Sequence, residues 1–131
     1  MTDQFNVRVY YEDTDLAGIV YYANYLKFIE RGRSEWIRDL GIDQSVLRRD
    51  HGVVFAVRRV VADYLLPAIY DDMLQVHTRL ASLGGARIIL AQQVRRGEDL
   101  LFDAEVTLVC LTATGRPVRM PVPVRAAISA I

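Results

Sequence analysis

Apolar and polar residues alternate in the first segment of the chain and lose that alternation at residue 13. Alternation with a period of two is typical of a strand with one buried face, so a strand is predicted over residues 5–12. Residues 13–21 show no helical period and contain Gly18, so a loop is predicted there. The apolar face of the predicted strand comprises Phe5, Val7 and Val9.

From residue 24 onward, apolar residues recur at intervals of three and four. This spacing predicts an amphipathic helix over residues 24–40, and Gly41 follows it in the position of a C-terminal cap. Gly32 lowers helix propensity, so its place in the apolar stripe indicates close packing on a sheet. Asp43 is in position to cap a short second helix that ends near Gly52. The apolar stripe comprises Tyr25, Phe28, Ile29, Gly32, Trp36, Ile37 and Leu40.

Segments of β-forming residues follow one another through the rest of the chain. They cover residues 53–65, 73–83, 86–96 and 100–112, and turns rich in glycine, proline or aspartate separate them. A tail over residues 118–131 is interrupted by two prolines. The order of elements is therefore one strand, one long helix, one short helix and then four or five consecutive antiparallel strands.

This order predicts an α+β fold in which one antiparallel sheet of about five strands wraps around the long helix. A chain of 131 residues is long enough for one packed core and too short for two, so residues 1–131 are interpreted as a single domain. One sheet with one helix leaves strand edges and part of a face uncovered. We therefore expect a homodimer or a homotetramer.

Charge and composition restrict the partners. Sixteen basic residues balance sixteen acidic residues, so no global field attracts the chain to nucleic acid or to an anionic membrane. The longest uncharged runs are too short to span a membrane, and the N-terminal residues lack the pattern of a signal peptide. One cysteine, Cys110, excludes an internal disulfide, and two histidines leave no zinc-ligand spacing. We expect a cytoplasmic protein without membrane insertion.

Asp15 is the candidate for chemistry in the predicted loop. A loop carboxylate is usually a solvated turn residue. Here, however, Gly18 permits a tight turn, and the following residues open a helix whose first amides have no partners within it. Such a helix start carries partial positive charge and stabilises an oxyanion. A carboxylate opposite it could attack a carbonyl directly or act as a general base on water, and the sequence leaves both routes open.

The residues from Arg8 to Tyr25 match a known active-site signature at fixed spacing. The matching positions are Arg8-Val9, Thr14-Asp15, Gly18-Ile19-Val20, Tyr22 and Tyr25. By this pattern the chain resembles the 4-hydroxybenzoyl-CoA thioesterase family of the hotdog superfamily. Two further segments are most similar to the YbgC-like acyl-CoA thioesterases, which are associated with the Tol–Pal gene cluster. These segments are Tyr10–Asp15, and Tyr64–Ala68 with Asp71–Leu74.

The resemblance implies a hotdog fold and an acyl-CoA thioesterase that hydrolyses a thioester to free acid and coenzyme A. It implies that Asp15 is the catalytic carboxylate, that the backbone amide of Tyr22 polarises the thioester carbonyl, and that the acyl group lies at a dimer interface. It implies no metal and no redox cofactor, with coenzyme A entering only as part of the substrate. Many YbgC-like relatives carry histidine where Tyr22 stands, but every residue except proline has a backbone N–H, so an amide role survives this difference.

Six further residues are predicted to contact the substrate. The signature supplies four of them, namely Gly18, Ile19, Val20 and Tyr25, and the ring of Tyr22 is expected to shape the acyl pocket. Arginine has the planar set of donors that suits phosphate, so two arginines are candidates for the phosphates of coenzyme A. These are Arg87 and Arg119. Ordinary surface charge explains both arginines equally well.

Other acids near the signature have simpler interpretations. Asp13 is expected to cap the loop and Glu12 to face solvent from the strand, although a neighbouring acid would also tune the pKa of Asp15. Glu30 on the long helix is expected to pair with a basic residue of the same helix, although some hotdog thioesterases use a glutamate there. Its expected partners are Lys27 and Arg33.

Two alternatives from other functional classes stay open. A hotdog dehydratase or hydratase would need a histidine paired with an acid, and neither His51 nor His77 lies near the signature. A weakly active or non-catalytic module that binds acyl-carrier protein or an envelope-associated partner is favoured by the tyrosine at position 22. Coenzyme A and carrier protein are both left open as the thiol carrier. No Gly-x-Ser-x-Gly motif is present, which excludes an α/β-hydrolase thioesterase.

Overall fold

The computed structural model describes residues 2–131, with side chains from Gln4 onward. Met1, part of the segment for which no signal peptide is expected, lies outside the described residues. The strands are β1 (Thr2–Arg8), β2 (Val53–Tyr64), β3 (Met73–Leu83), β4 (Arg87–Arg96) and β5 (Asp99–Thr112). The helices are α1 (Asn24–Asp39), α2 (Gln44–Val46) and α3 (Val122–Ser129), with a 3-10 turn at Tyr11–Asp13 and a π turn at Leu47–His51.

The five strands form one antiparallel sheet in the order β1-β3-β4-β5-β2. The predicted α+β architecture is confirmed. The consecutive strands β3, β4 and β5 pair as neighbours, whereas β2 pairs with β5 and not with β3, the next strand along the chain. The connection after β2 crosses the end of the sheet instead of turning back. The N–H groups of Leu65 and Leu66 donate to the carbonyl of Leu101, at 2.8 Å and 3.2 Å, and the Arg96 guanidinium donates to the carbonyl of Pro67.

The long helix α1 packs its apolar stripe against β1, β3 and β4. Trp36 and Phe28 are buried in this contact. A Cβ atom on Gly32 would lie 2.5 Å from Cγ1 of Val76, so only a glycine fits at this crossing without a shift. The prediction that Gly32 permits close packing on the sheet is therefore confirmed, as is the helix itself, which ends before Gly41.

A polar contact lies within this apolar interface. The Arg33 guanidinium donates to the side-chain oxygen of Gln92 at 3.0 Å, and the Gln92 amide donates to the carbonyl of Ile29 and to Oγ1 of Thr78. Burial lowers the pKa of Arg33, with the charge of Glu30 acting against that shift. Because these polar groups are hydrogen-bonded to one another, their burial in the interface is compensated.

Two predicted segments differ from the structure. The first strand was predicted to continue to residue 12 but ends at Arg8, because the Asp13 carboxylate takes the N–H of Tyr10 and curls the chain into a 3-10 turn. The tail was predicted as an interrupted segment but contains α3, whose Val124 and Ile128 are buried. Its proline stands in the first helical turn, where no N–H donor is required.

The strand β2 is a long edge of the sheet with apolar side chains facing out. Its twelve residues pair only with β5, and Val57 and Val61 are each 47% exposed. Since α1 packs mainly on β1, β3 and β4, part of β2 stays exposed, although Val53 is buried and Phe55 and Ala62 pack against the core. Within residues 2–131, no helix is long and apolar enough to cross a membrane.

Candidate active site

Asp15 stands at the start of a tight turn between two short antiparallel stretches. Its N–H donates to the carbonyl of Ile19 at 2.9 Å, and its carbonyl accepts the N–H of Gly18 at 2.9 Å. Gly18 has φ +80°, which an L side chain rarely adopts. Oδ1 of Asp15 accepts the N–H of Ala17 at 2.9 Å, whereas Oδ2 accepts no hydrogen bond from any group in the described part of the chain. The turn therefore presents an exposed carboxylate with one oxygen available.

The neighbouring acid Asp13 is buried and holds the loop from inside. Its Oδ2 accepts the N–H of Tyr10 at 2.8 Å, and its Oδ1 accepts the side-chain amide of Asn24 at 2.9 Å. Its backbone carbonyl accepts the N–H of Tyr21 at 2.9 Å. The predicted role of Asp13 as a loop-capping residue is therefore confirmed, and its carboxylate reaches further, to the first residue of α1.

The start of α1 leaves a backbone donor unpaired. The carbonyl of Tyr21 accepts the N–H of Asn24 at 2.8 Å, and in a trans peptide the C=O and the following N–H point in opposite directions. The N–H of Tyr22 therefore points away from the helix, and no acceptor within residues 2–131 takes it. No side chain caps α1 at Ala23. The Tyr22 carbonyl accepts the hydroxyl of Tyr64 at 3.0 Å, which fixes the next peptide.

A cleft of about 340 Å³ opens beside this helix start. Its wall is mostly aromatic and aliphatic: Ile19, Val20, Tyr22, Tyr25, Tyr64, Leu65, Leu66 and Pro67. The ring of Tyr25 stacks on Phe102, and its hydroxyl accepts the N–H of Ala68 at 3.1 Å. Burial raises the pKa of Tyr25 and of Tyr64 above the ordinary value, so both phenols stay neutral at physiological pH. The cleft suits an apolar group.

The structure gathers most of the predicted site residues at one end of the sheet. Ile19, Val20, Tyr22 and Tyr25 line the cleft, and the turn of Asp15 and Gly18 is hydrogen-bonded to Ile19. Sequence reasoning did not assign Tyr64, Leu65, Leu66 and Pro67 to the site. The available signal was the segment Tyr64–Ala68, which carried part of the family resemblance without an assigned role.

Arg87 and Arg119 lie at the opposite end of the sheet. Arg87 on β4 pairs with Val109 on β5, which in turn pairs with Ala56 on β2. Ala56 precedes Tyr64 by eight residues along β2. At about 3.3 Å per residue this separation is roughly 26 Å. The Arg119 guanidinium packs against Gly85, close to the start of β4. Within one chain, the two arginines are near each other but remote from Asp15.

The other ionisable candidates stand outside the cleft. Glu12 is exposed as expected, but in the 3-10 turn rather than in a strand. The partner of Glu30 was predicted to be Lys27 or Arg33; it is instead Ser34, whose hydroxyl donates to the carboxylate at 3.1 Å, because residues four apart adjoin on a helix.

The histidines and the cysteine add no second site near Asp15. His77 lies on the outer face of the sheet in register with Gln93, which separates it from Asp103 on β5, and His51 ends the π turn. Burial raises the pKa of the Cys110 thiol. Among the described residues, no three His, Cys, Asp or Glu side chains are placed to hold one metal ion.

Comparison with known proteins places these features in a family. Residues 9–128 match the model of the thioesterase-like superfamily. The chain is 40% identical over 124 residues to the acyl-CoA thioesterase YbgC of Haemophilus influenzae, covering 94% of this chain and 91% of that protein. A probable thioesterase from Bartonella henselae has a similar crystal structure, with a TM-score of 0.87, 38% identity, and coverage of 92% of this chain and 100% of that one.

A more distant relative shares the fold alone. The 4-hydroxybenzoyl-CoA thioesterase of Pseudomonas sp. strain CBS-3 superposes with a TM-score of 0.88 at 21% identity, over 96% of this chain and 98% of that one. The similar structures confirm the predicted hotdog fold, and the family-model match and the similarity to YbgC confirm the predicted family resemblance.

Proposed function

The chain belongs to the thioesterase-like superfamily and is an acyl-CoA thioesterase, and we propose that Asp15 and the N–H of Tyr22 carry out the hydrolysis. The observation that supports this most directly is that one apolar cleft is lined both by Tyr22, whose N–H is unpaired within residues 2–131, and by Ile19, whose carbonyl accepts the N–H of Asp15. The Asp15 carboxylate keeps one oxygen available in that same turn. A carboxylate and an oxyanion donor are the two groups that thioester hydrolysis needs.

The reaction follows from these positions. The thioester carbonyl carbon is attacked either by Asp15 Oδ2, giving a mixed anhydride that water then hydrolyses, or by a water molecule that Asp15 deprotonates. In both routes the C–S bond breaks and coenzyme A leaves as a thiolate, which takes up a proton. Because a thiolate is a good leaving group, the site needs no group dedicated to protonating it, and we propose no cofactor beyond the coenzyme A of the substrate.

The helix start stabilises the charge that develops on the carbonyl oxygen. The Tyr22 N–H is free to donate to that oxygen, and the start of α1 carries the partial positive charge of the helix dipole. The donor is part of the backbone, so tyrosine serves as well as the histidine found in many YbgC-like relatives. The Tyr22 ring forms part of the cleft wall, where the acyl group would lie with Tyr25 and Tyr64.

A homodimer through β2 would complete the site. The edge of β2 is long, apolar and exposed, and such edges pair with another chain unless protected. If two β2 strands pair antiparallel, the start of one lies beside the end of the other. The partner subunit's Arg87 would then approach the Tyr64 end of the first subunit, where we expect the phosphates of coenzyme A to emerge from the cleft. Arg119, near Arg87, is proposed to take part in the same contact.

The cellular setting is also a proposal. The similarity to YbgC supports a cytoplasmic enzyme in the Tol–Pal context and acyl-CoA as the substrate. Acyl-carrier-protein thioesters are the alternative substrate, and the same cleft would accept their acyl group.

The activity is tested by measuring free-thiol release from short, long and aromatic acyl-CoA esters and from acyl-carrier-protein thioesters. We expect turnover of at least one ester with first-order dependence on enzyme. Absence of turnover on every ester, together with binding of carrier protein, would contradict hydrolysis and favour a binding module.

A further inference from the structure

The two proposed reacting groups belong to different pieces of one continuous segment, a turn and a helix start. Asp15 is on the turn that follows the 3-10 turn, and the Tyr22 N–H belongs to the start of α1. The hairpin between them is exposed, and Leu16 at its tip projects fully into solvent. Attack on a carbonyl requires reacting atoms about 3–3.5 Å apart, so the separation of these two pieces must be held by other residues.

One buried contact joins the two pieces directly. The Asp13 carboxylate lies two residues before Asp15, and it accepts the side-chain amide of Asn24, two residues after Tyr22, at 2.9 Å. Both side chains are only 8% exposed. No basic side chain forms an ion pair with Asp13 in the described part of the chain, so neutral donors alone compensate the buried charge.

Loop capping does not require this contact. The bond from the Tyr10 N–H to Oδ2 of Asp13 is sufficient to close the 3-10 turn. The bond to Asn24 instead fixes the turn to the helix, and the bond from the Tyr21 N–H to the Asp13 carbonyl fixes the residue before Tyr22. Asp13 therefore controls both ends of the segment that contains the reacting groups.

We propose that Asp13 and Asn24 form a clamp that sets the distance between the Asp15 carboxylate and the Tyr22 N–H. The clamp rests on the proposed roles of those two groups and adds two positioning residues, neither of which touches the substrate. It acts on kcat rather than on KM, because the cleft wall at Tyr25 and Tyr64 is held by separate contacts.

The decisive variant is Asn24→Asp, which places two carboxylates in contact. At low pH the pair shares a proton and the contact stays closed, whereas at high pH both carboxylates ionise and repel each other. We expect the ratio of variant to wild-type kcat to fall as pH rises, by about 100-fold in total, with KM little changed. The neighbouring acids Glu12 and Asp15 are present in both proteins, so their titration cancels in the ratio.

The exchanged pair tests the contact itself. In Asp13→Asn with Asn24→Asp, the new amide oxygen accepts the Tyr10 N–H and the new amide nitrogen donates to the carboxylate at position 24. We expect this double variant to regain most of the wild-type kcat and to lose the pH dependence of the ratio. If Asn24→Asp unfolds at high pH, Asn24→Ala replaces it, and a low kcat with an unchanged KM is expected there.

Thr78→Val is the matched control. It removes another buried hydrogen bond beneath α1, from Gln92 to Thr78 Oγ1 at 3.0 Å, far from the turn. It should lower the melting temperature and leave kcat unchanged. A flat pH ratio for Asn24→Asp, or an exchanged pair as impaired as the single variant, would overturn the clamp. Asp15→Asn separates the two claims, since full activity in that variant would instead overturn the proposed function.

Discussion

Individual residues of the site divide into those that react and those that support. One carboxylate oxygen of Asp15 accepts the Ala17 N–H, and the other is available to react. The support comes from hydrogen bonds: Asn24 to the Asp13 carboxylate on one side of the hairpin, and the Tyr64 hydroxyl to the Tyr22 carbonyl on the other.

Tyr64→Phe tests the support from the cleft side. The variant keeps the ring that lines the cleft and loses the hydroxyl that donates to the Tyr22 carbonyl at 3.0 Å. One such bond contributes about 1 kcal/mol, so we expect kcat to fall about fivefold with little change in KM. Tyr70→Phe is the matched control, because that exposed hydroxyl has no partner within residues 2–131. Equal kcat in both variants would contradict the role of the Tyr64 hydroxyl.

The reacting residues could be predicted from sequence, whereas the cleft could not. Asp15 and Tyr22 belong to one continuous segment, so their spacing alone indicated the site. Tyr64 and the residues up to Pro67 come from about forty positions further on, and only the crossing of the sheet end brings them to the helix start.

Among the elements, α1 depends most on close approach to the sheet. The contact at Gly32 leaves no room for a Cβ, and Val76 is a stiff β-branched side chain that moves little. The same contact sets the height of α1 above the sheet, and therefore the position of its first amides relative to the loop.

Gly32→Ala should destabilise the protein despite its better helix propensity. Overpacking of this kind lowers the free energy of unfolding by about 1–3 kcal/mol. The better helix propensity of alanine raises it by about 1 kcal/mol. We expect a net loss that lowers the melting temperature by about 3 °C. The control is Gly84→Ala, whose Cβ would meet its nearest neighbour at an ordinary 3.5 Å. Partial recovery is expected in Gly32→Ala with Val76→Ala, and an unchanged or raised melting temperature in Gly32→Ala would argue against the tight contact.

Periodicity predicted most elements, and the exceptions have local causes. The end of β1 depends on a side-chain contact, from Asp13 to the Tyr10 N–H, that alternation does not encode. In the tail, Val124 and Ile128 have helical spacing, but the two prolines indicated an interrupted segment. A proline in a first turn is compatible with a helix, so the same residue supports either interpretation.

At the scale of the whole molecule, the neutral net charge conceals an uneven distribution. No acidic residue occurs after Glu105, and the arginines at positions 116, 119 and 125 stand in that last part of the chain. Arg87 joins them at the end of the sheet remote from Asp15. An antiparallel dimer through β2 would place this basic end next to the partner's cleft. Sequence could not predict this relation, because it depends on β2 being an edge.

Mixing two impaired proteins tests whether the site is shared. If Asp15 of one subunit works with the partner subunit's Arg87, a heterodimer of Asp15→Asn and Arg87→Ala subunits has one intact site. Random mixing makes half the dimers mixed, so kcat/KM should recover to about a quarter of the wild-type value. The unmixed proteins are the controls. No recovery after subunit exchange, verified by mass spectrometry, would indicate that Arg87 is not used across the interface.

The most direct test of the account is the loss of the Asp15 carboxylate. We would measure kcat/KM for free-thiol release from the best acyl-CoA ester in wild type, in Asp15→Asn and in Glu12→Gln, an exposed acid three residues away. The account predicts a loss of about 10²–10⁴-fold in Asp15→Asn, with the melting temperature retained and Glu12→Gln close to wild type. Wild-type turnover in a folded Asp15→Asn protein would contradict it.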